Sequence, residues 1–494
     1  MRSAGILMHI TSLPSPCGIG TLGKAAYDFA DFLHEAGQHY WQILPIGPTG
    51  FGNSPYQSVS THAGNPYLID LDLLVGEGLL TADELKEIDW LETPQVDYDF
   101  QYSVRFDLLH KAFLRGQDRF AEEIRTFRRE NPWVDHYALY MAIKRARNMD
   151  SWEKWPREIR LRQPGAVETY ATVYAEDMNF FIFQQFLFFR QWNALRSYLR
   201  QKNIELIGDL PIYVPYDSCD VWVNSDLFQL DENGTPTAVA GCPPDAFSVD
   251  GQLWGNPLYD WEKMQKDDFS WWRERIIAAS KLFDVIRIDH FRGLESYWSV
   301  PYGETTARNG AWVKGPDHAF IDCLKRHFPD LRLIAEDLGF LTPEVIQLQK
   351  DSGFPGMKIL EFAFDPYTPS SYLPHRYERN CICYTGTHDN ETLHQWLRGC
   401  NDVTLAYIAD YLGLPNTSEE ALACGLICAG MRSVADTFIA QMQDYLALGA
   451  EARMNAPGIV GPENWAWRME KNALTPELAQ KLRNMTKRYE RTAS

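Results

Sequence analysis

No apolar run in the sequence approaches the roughly 18 residues needed to cross a bilayer, and there is no cationic excess. Lys and Arg number 47 against 66 Asp and Glu, for a net charge of −19. The first absence argues against a membrane span. The second argues against nucleic acid or anionic lipid as partner, since both are held by positive charge. Cysteine is scarce: nine residues, odd in number and scattered from Cys17 to Cys428, make no disulfide framework and fit reduced, cytoplasmic usage. The short opening run Gly5-Ile6-Leu7-Met8-His9-Ile10, soon followed by Pro14 and Pro16, does not read as a signal segment. Internal repeats, low-complexity tracts and a Gly-x-Ser-x-Gly nucleophile elbow are also missing. His388 and His394 match no zinc-helix spacing, and Cys381-Ile382-Cys383 has no second half, so neither a metal nor another cofactor is expected. Gly18-Ile19-Gly20-Thr21-Leu22-Gly23 has dinucleotide-fingerprint spacing. Pro14 and Pro16 precede it, and the next strand runs into Pro45 rather than an acid, so it reads as a tight loop at a cleft rim.

What the sequence does have is aromatic surface and a set of strand-like runs ending in acids. Sixteen Trp and 24 Tyr are a high load for this length; much of it must be core, but flat rings also stack on the C–H faces of sugars, which keeps a carbohydrate ligand in play. Ile204–Asp209, Phe283–Asp289, Leu331–Asp337 and Ile382–Asp389 each pass from a short apolar run into a carboxylate. In a (β/α)8 barrel all strands point the same way, so acids at their C-terminal ends meet at one face. Gly5 to Thr11 reads as the first strand, Ala25 to Ala36 as a helix and Trp41 to Leu44 as the second strand, the β-α-β start such a barrel requires. A further strand is expected near Met357 to Phe364 and another at Cys381 to Tyr384. The span Ser418 to Leu448 reads as helical, with the final strand at Met454 to Val460. The 494 residues are expected to form one elaborated catalytic barrel with a helical insertion at 79–162 and a loop-rich, proline-rich insertion at 210–261 beside the cleft.

Arg287 and Asp289 are two apart on one strand, so they share a face. A guanidinium beside an acid holds it ionised, as a nucleophile or charge stabiliser needs, although a structural ion pair would look the same. Glu336, flanked by another acid and partly buried, is the candidate for a raised pKa and hence for a proton shuttle. Two carboxyls with those opposite roles are what glycoside chemistry demands. Asp389 would stabilise charge or grip sugar hydroxyls, with His388 beside it as a hydrogen-bond donor or as a satisfied loop histidine.

At these residues the chain resembles the 4-α-glucanotransferases (amylomaltases, or disproportionating enzymes) of the α-amylase clan. The resemblance runs through Thr11-Ser12-Leu13-Pro14, Trp41-Gln42-Ile43-Leu44-Pro45, Ser54-Pro55-Tyr56-Gln57, Gly208-Asp209-Leu210-Pro211, Gly251-Gln252-Leu253-Trp254, Arg287-Ile288-Asp289-His290, Ala335-Glu336-Asp337, Gly386-Thr387-His388-Asp389-Asn390, Arg453-Met454-Asn455 and Asn464-Trp465. It implies an α/β fold, a (β/α)8 TIM barrel with large helical and loop-rich insertions and no separate C-terminal β domain. It further implies transfer of α-1,4-glucan segments between malto-oligosaccharides, including starch- or glycogen-derived glucans, by disproportionation that can extend to cyclisation. The implied roles are Asp289 as nucleophile, Glu336 as acid then base and Asp389 as transition-state stabiliser. Arg287, His290, His388, Asp209, Asp365 and Asn464 match donor-sugar contacts, Trp254 lies over the acceptor side, and Tyr56 and Tyr98 match a second glucan groove. Two departures stand out. Thr21 replaces an Asp of many relatives. Ala246 replaces a loop Tyr, which leaves Phe247 and Trp254 to supply the aromatic cover. A hydrolase of the same clan and a non-catalytic glycan-binding protein are the rival readings.

Overall fold

The computed structural model describes residues 2–492 except 245–247, 416–417 and 460. Ala246 and Phe247 therefore lie outside the described residues. Among the described residues twelve strands form two sheets: β1 (Ser3–Leu7), β2 (Tyr40–Gln42), β3 (Glu205–Leu210), β4 (Ala238–Cys242), β5 (Gln252–Pro257), β6 (Val285–Ile288), β7 (Ser296–Pro301), β8 (Ala311–Lys314), β9 (Leu333–Ala335), β10 (Gly356–Ile359), β11 (Cys381–Tyr384) and β12 (Thr437–Gln441). The larger sheet runs β10-β11-β12-β1-β2-β3-β6-β9 with every described pairing parallel. The Ala335 N–H donates to Pro355 O at 2.9 Å, bringing the two ends together. The eight strands thus make the expected (β/α)8 barrel.

The barrel strands are short, largely apolar runs with little exposure on either face, as parallel strands covered by helices must be. β6 and β11 are buried throughout. Helices such as Lys24–Glu35, Ala175–Gln201, Ser270–Leu282, Asp317–His327 and Pro343–Ser352 cover the outside. Gly208 in β3 permits one close approach, since a Cβ there would sit 2.1 Å from the Phe283 ring. Between β2 and β3 the chain is helical from Leu71 onward, including Tyr98–Gly116, Ala121–Glu130 and Trp133–Ala146. These helices occupy the stretch read as a helical insertion.

Three sequence expectations are corrected. The first strand ends at Leu7, and Ile10–Ser12 is a 3-10 turn in which Leu13 N–H donates to Ile10 O. The region near Met357 to Phe364 is strand only to Ile359, then a 3-10 turn at Leu360–Phe362. The last strand is Thr437–Gln441, inside the span read as helical, whereas the described residues 454–459 carry no strand. A short apolar run fits a buried helix as well as a buried strand, and pairing of β12 with both β1 and β11 decides the matter. The stretch 210–261 is also more ordered than its prolines imply. Its β4 and β5 join β7 and β8 in a four-stranded antiparallel sheet, β5-β4-β7-β8, at the side of the barrel mouth.

Candidate active site

Strand register sets the centre of the site. Asp209 on β3 lies directly opposite Arg287 on β6, and both are almost fully buried. Arg287 Nη1 donates to both oxygens of Asp209 at 2.7 Å and to Asp289 Oδ1 at 2.9 Å. One guanidinium therefore ties two carboxylates together; burial works against its charge, but the charges of Asp209 and Asp289 outweigh that and raise the Arg287 pKa, so it stays protonated. Tyr56 donates its hydroxyl to Asp209 Oδ2 at 2.7 Å, and its ring stacks on His388 at 5.1 Å.

Glu336 follows β9 directly. Its two oxygens accept the backbone N–H groups of His290 at 2.7 Å and Leu338 at 2.9 Å. The Phe291 N–H in turn donates to Glu336 O at 3.0 Å, so the loops after β6 and β9 are laced to each other. His290 makes this possible by adopting a left-handed conformation, φ 49°. Its ring meets Trp254 edge to face at 4.8 Å, and burial drives its pKa down to about 3, so it is neutral.

Asp389 sits at the end of the β11 loop, with 47 % of its side chain exposed to the cleft. Asn455 Nδ2 donates to its Oδ1 at 2.6 Å, and Arg453 Nη2 donates to its carbonyl at 3.0 Å. His388 Nε2 lies 3.4 Å from the same Oδ1. Burial lowers the His388 pKa against the pull of Asp389.

The electrostatics differ from the expectation at one point. Arg287 alone was to keep Asp289 ionised. Instead burial, reinforced by Asp209, Glu336 and Asp389, outweighs the pull of Arg287 and pushes Asp289 up to about 8, although the side chain keeps a 28 % exposed edge. Burial raises Glu336 too, opposed by Arg287 and by its two backbone donors. With Asp209, Glu336 and Asp389 gathered around Asp289, ionising all of these carboxyls together is unfavourable, which favours keeping a proton on Asp289 or Glu336.

The remaining sequence candidates separate. Trp254 flanks His290. Asn464 is buried and committed to its own loop, accepting from Ala456 N–H at 3.0 Å and donating to Ile459 O at 2.8 Å. Asp365 is exposed on the loop after β10, where the Tyr367 N–H, 2.9 Å away, lowers its pKa. Tyr98 is corrected: it is buried, packs on Tyr67 and donates to Trp465 O at 2.9 Å, so its ring offers no open face to a second glucan. Tyr56, paired with it in that reading, is half-buried and bonded to Asp209. Asn455 and Trp465 were not singled out as site residues. The only signal for them was the motif-like spelling of Arg453-Met454-Asn455 and Asn464-Trp465. Among the described residues one cluster has metal-ligand chemistry, Asp268, Cys323 and His327, and it is built from a helix turn and the Asp317–His327 helix rather than from these strand ends.

Comparison with known proteins bears on this constellation directly. The sequence model of the 4-alpha-glucanotransferase family matches residues 8–475. The chain belongs to that family. It is 47% identical over 489 residues to the 4-alpha-glucanotransferase of Clostridium butyricum, covering 98% of this chain and 100% of the relative. With the Thermus thermophilus 4-alpha-glucanotransferase it shares 44% identity over 500 residues, 99% of each chain. Among solved structures, the amylomaltase of Streptococcus agalactiae in complex with acarbose superposes with a TM-score of 0.96 at 41% identity, covering 100% of both chains. The family's activity is the transfer of α-glucan segments, through the covalent intermediate general to its clan. Among the described residues no helix is long and apolar enough to cross a membrane.

Proposed function

We propose that this 4-alpha-glucanotransferase family member moves α-1,4-glucan segments between malto-oligosaccharides by double displacement on Asp289. The observation that carries the assignment is the placing of Asp289 and Glu336 on neighbouring strand ends, joined by the His290 backbone N–H at 2.7 Å, where burial raises both carboxyls. One proton shared by two such groups is the charge state the reaction starts from: one acid to give a proton, one carboxylate to attack.

In the first step Glu336 protonates the glycosidic oxygen while Asp289 bonds to the anomeric carbon, releasing the reducing-end segment. Glu336, now ionised, takes the proton from the 4-hydroxyl of an incoming glucan. That oxygen displaces Asp289, and the anomeric configuration is retained. Arg287 stays bonded to Asp289 and steadies it as its charge appears and disappears. Asp389, oriented by Asn455, faces the positive charge that develops on the sugar ring. The neutral His388 and the Tyr56 hydroxyl provide polar contacts to sugar hydroxyls, and Trp254 shields the acceptor side from water, which favours transfer over hydrolysis.

The test is incubation of the enzyme with maltotriose and a chelator, following the oligosaccharide ladder and total reducing ends together. Longer and shorter products at constant reducing ends are expected. Rising reducing ends would assign hydrolysis instead, and an unchanged maltotriose pool would leave only glycan binding.

A further inference from the structure

The geometry points to a second aromatic surface, Trp312 and Phe340 clamped by Arg292, as a binding platform for the distal residues of the acceptor glucan. This inference rests on the glucan-transfer reading above.

Arg292 is buried and stands three residues after Asp289. Its Nη1 donates to Phe340 O at 2.7 Å, and its Nη2 donates to Ser296 Oγ at 3.1 Å. Its guanidinium lies over the Trp312 ring at 3.8 Å. One side chain thus joins the loop that follows the nucleophile, the loop that carries Glu336, and the outer edge of the antiparallel sheet. Those bonds occupy both terminal nitrogens and one face of the cation, so its charge holds the rim together and is not displayed to an anion.

The aromatics it fixes are unusually open. Phe340 is 70% exposed and Trp312 40% exposed. Trp312 stands on β8, where all four residues are exposed, and its cross-strand partner Trp298 on β7 packs against it at 5.2 Å. Trp298 is anchored by its own indole N–H, which donates to Ala307 O at 2.8 Å. Trp312 is held on one face by the Arg292 cation and at its edge by Trp298, and Phe340 stands on a backbone fixed by Arg292, yet both keep ring surface in water, so ordering them on a ligand costs little. Their flat, uncharged faces match the C–H faces of glucose rings. Position selects the occupant. Phe340 lies four residues beyond Glu336, the group that handles the leaving and the incoming oxygen. Arg292, three residues beyond Asp289, ties Trp312 to the same side, so the rim stands beside both reacting groups and is placed for a chain that leaves them on the acceptor side. A neutral glucan also suits a protein whose net charge is −19, since it needs no counter-charge.

The experiment uses a malto-oligosaccharyl fluoride as fixed donor, with maltose and maltohexaose as alternative acceptors, for the intact enzyme and its Phe340→Ala and Trp312→Ala variants. Each variant is expected to raise the KM for maltohexaose about tenfold, the scale of a truncated aromatic anchor, and to change the KM for maltose far less. Phe340→Ala, at a 70% exposed position, guards against misfolding. Equal KM changes for both acceptors, or none for either, would overturn the platform while leaving glucan transfer intact. Failure of the unmodified enzyme to transfer to either acceptor would overturn the transfer reading and the platform with it.

Discussion

Asp209→Asn isolates the electrostatic logic of the site, because it removes one charge and keeps the shape. Asp209 and Asp289 both accept from a single nitrogen of Arg287, at 2.7 and 2.9 Å, which puts their near oxygens about 5 Å apart. At an effective dielectric near 20, two like charges at that distance repel by about 3 kcal/mol, enough to change a pKa by about two. Relaxation and water at the open edge of Asp289 reduce this to about one to two. The sign is fixed: Asp209 is one of the groups that raise Asp289, so its removal lowers the Asp289 pKa and makes the proposed nucleophile easier to ionise. The assay is the pH profile of kcat/KM for maltotriose disproportionation, a bell whose limbs report the Asp289 and Glu336 pair. In Asp209→Asn the acid limb should move to lower pH by about one to two units. The height of the bell falls as well, because Arg287 and the Tyr56 hydroxyl lose a partner, so the readout is the position of the limb. An unmoved limb, or one displaced to higher pH, would refute the view that crowding of carboxyls governs this centre.

Glu336→Gln should lower kcat on maltotriose by at least about a thousandfold and retain far more activity with a malto-oligosaccharyl fluoride, whose leaving group needs no proton; equal losses on both donors would remove Glu336 from the acid role. Asp289→Asn should be inactive on either donor, and turnover within about tenfold of the parent would exclude it as nucleophile. Asn455→Ala removes the 2.6 Å bond to Asp389 and is expected to cut kcat about tenfold or more while KM and melting temperature change little. His9 is buried with its Nδ1 unpartnered, and burial, aided by His388, lowers its pKa to about 3. The unfolded chain binds that proton near pH 6.5, so stability from this group is complete above about pH 6.5 and is lost as pH falls toward 3. The loss is at most about 5 kcal/mol. His9→Gln should flatten the fall of melting temperature between pH 7 and 4, and an unchanged slope would contradict this.

Much of the site could be read before the fold was known because parallel strands collect their C-terminal residues at one mouth. Asp209, Asp289, Glu336 and Asp389 each close a short apolar run, and that local pattern is all the convergence requires. The pairing of Arg287 with Asp289 followed from period-two alternation alone. Where the reading went astray, two structures competed for the same residues. Thr437–Gln441 is apolar enough for either a helix or a strand, and only the gap between β1 and β11 selects the strand. The prolines of 210–261 hid β4 and β5, and the strand that ties this pair into a sheet, β7 against β4, lies beyond β6, a long-range pairing that no local signal records.

The sequence by itself determined the barrel, the family and the acids at the strand ends, because these depend on periodicity and local spelling. Tertiary structure alone decided the balance of charge and the fate of the aromatics. The raised Asp289 is the sum of its burial and the charges of Arg287, Asp209, Glu336 and Asp389, contributed by four strand ends. Tyr98 and Phe340 are both aromatic residues near motif-like stretches, yet one is sealed against Trp465 and the other stands open above the Arg292 clamp. Burial is a property of what packs from elsewhere in the chain, and the desolvation that follows it cannot be read from a residue's own neighbours in sequence.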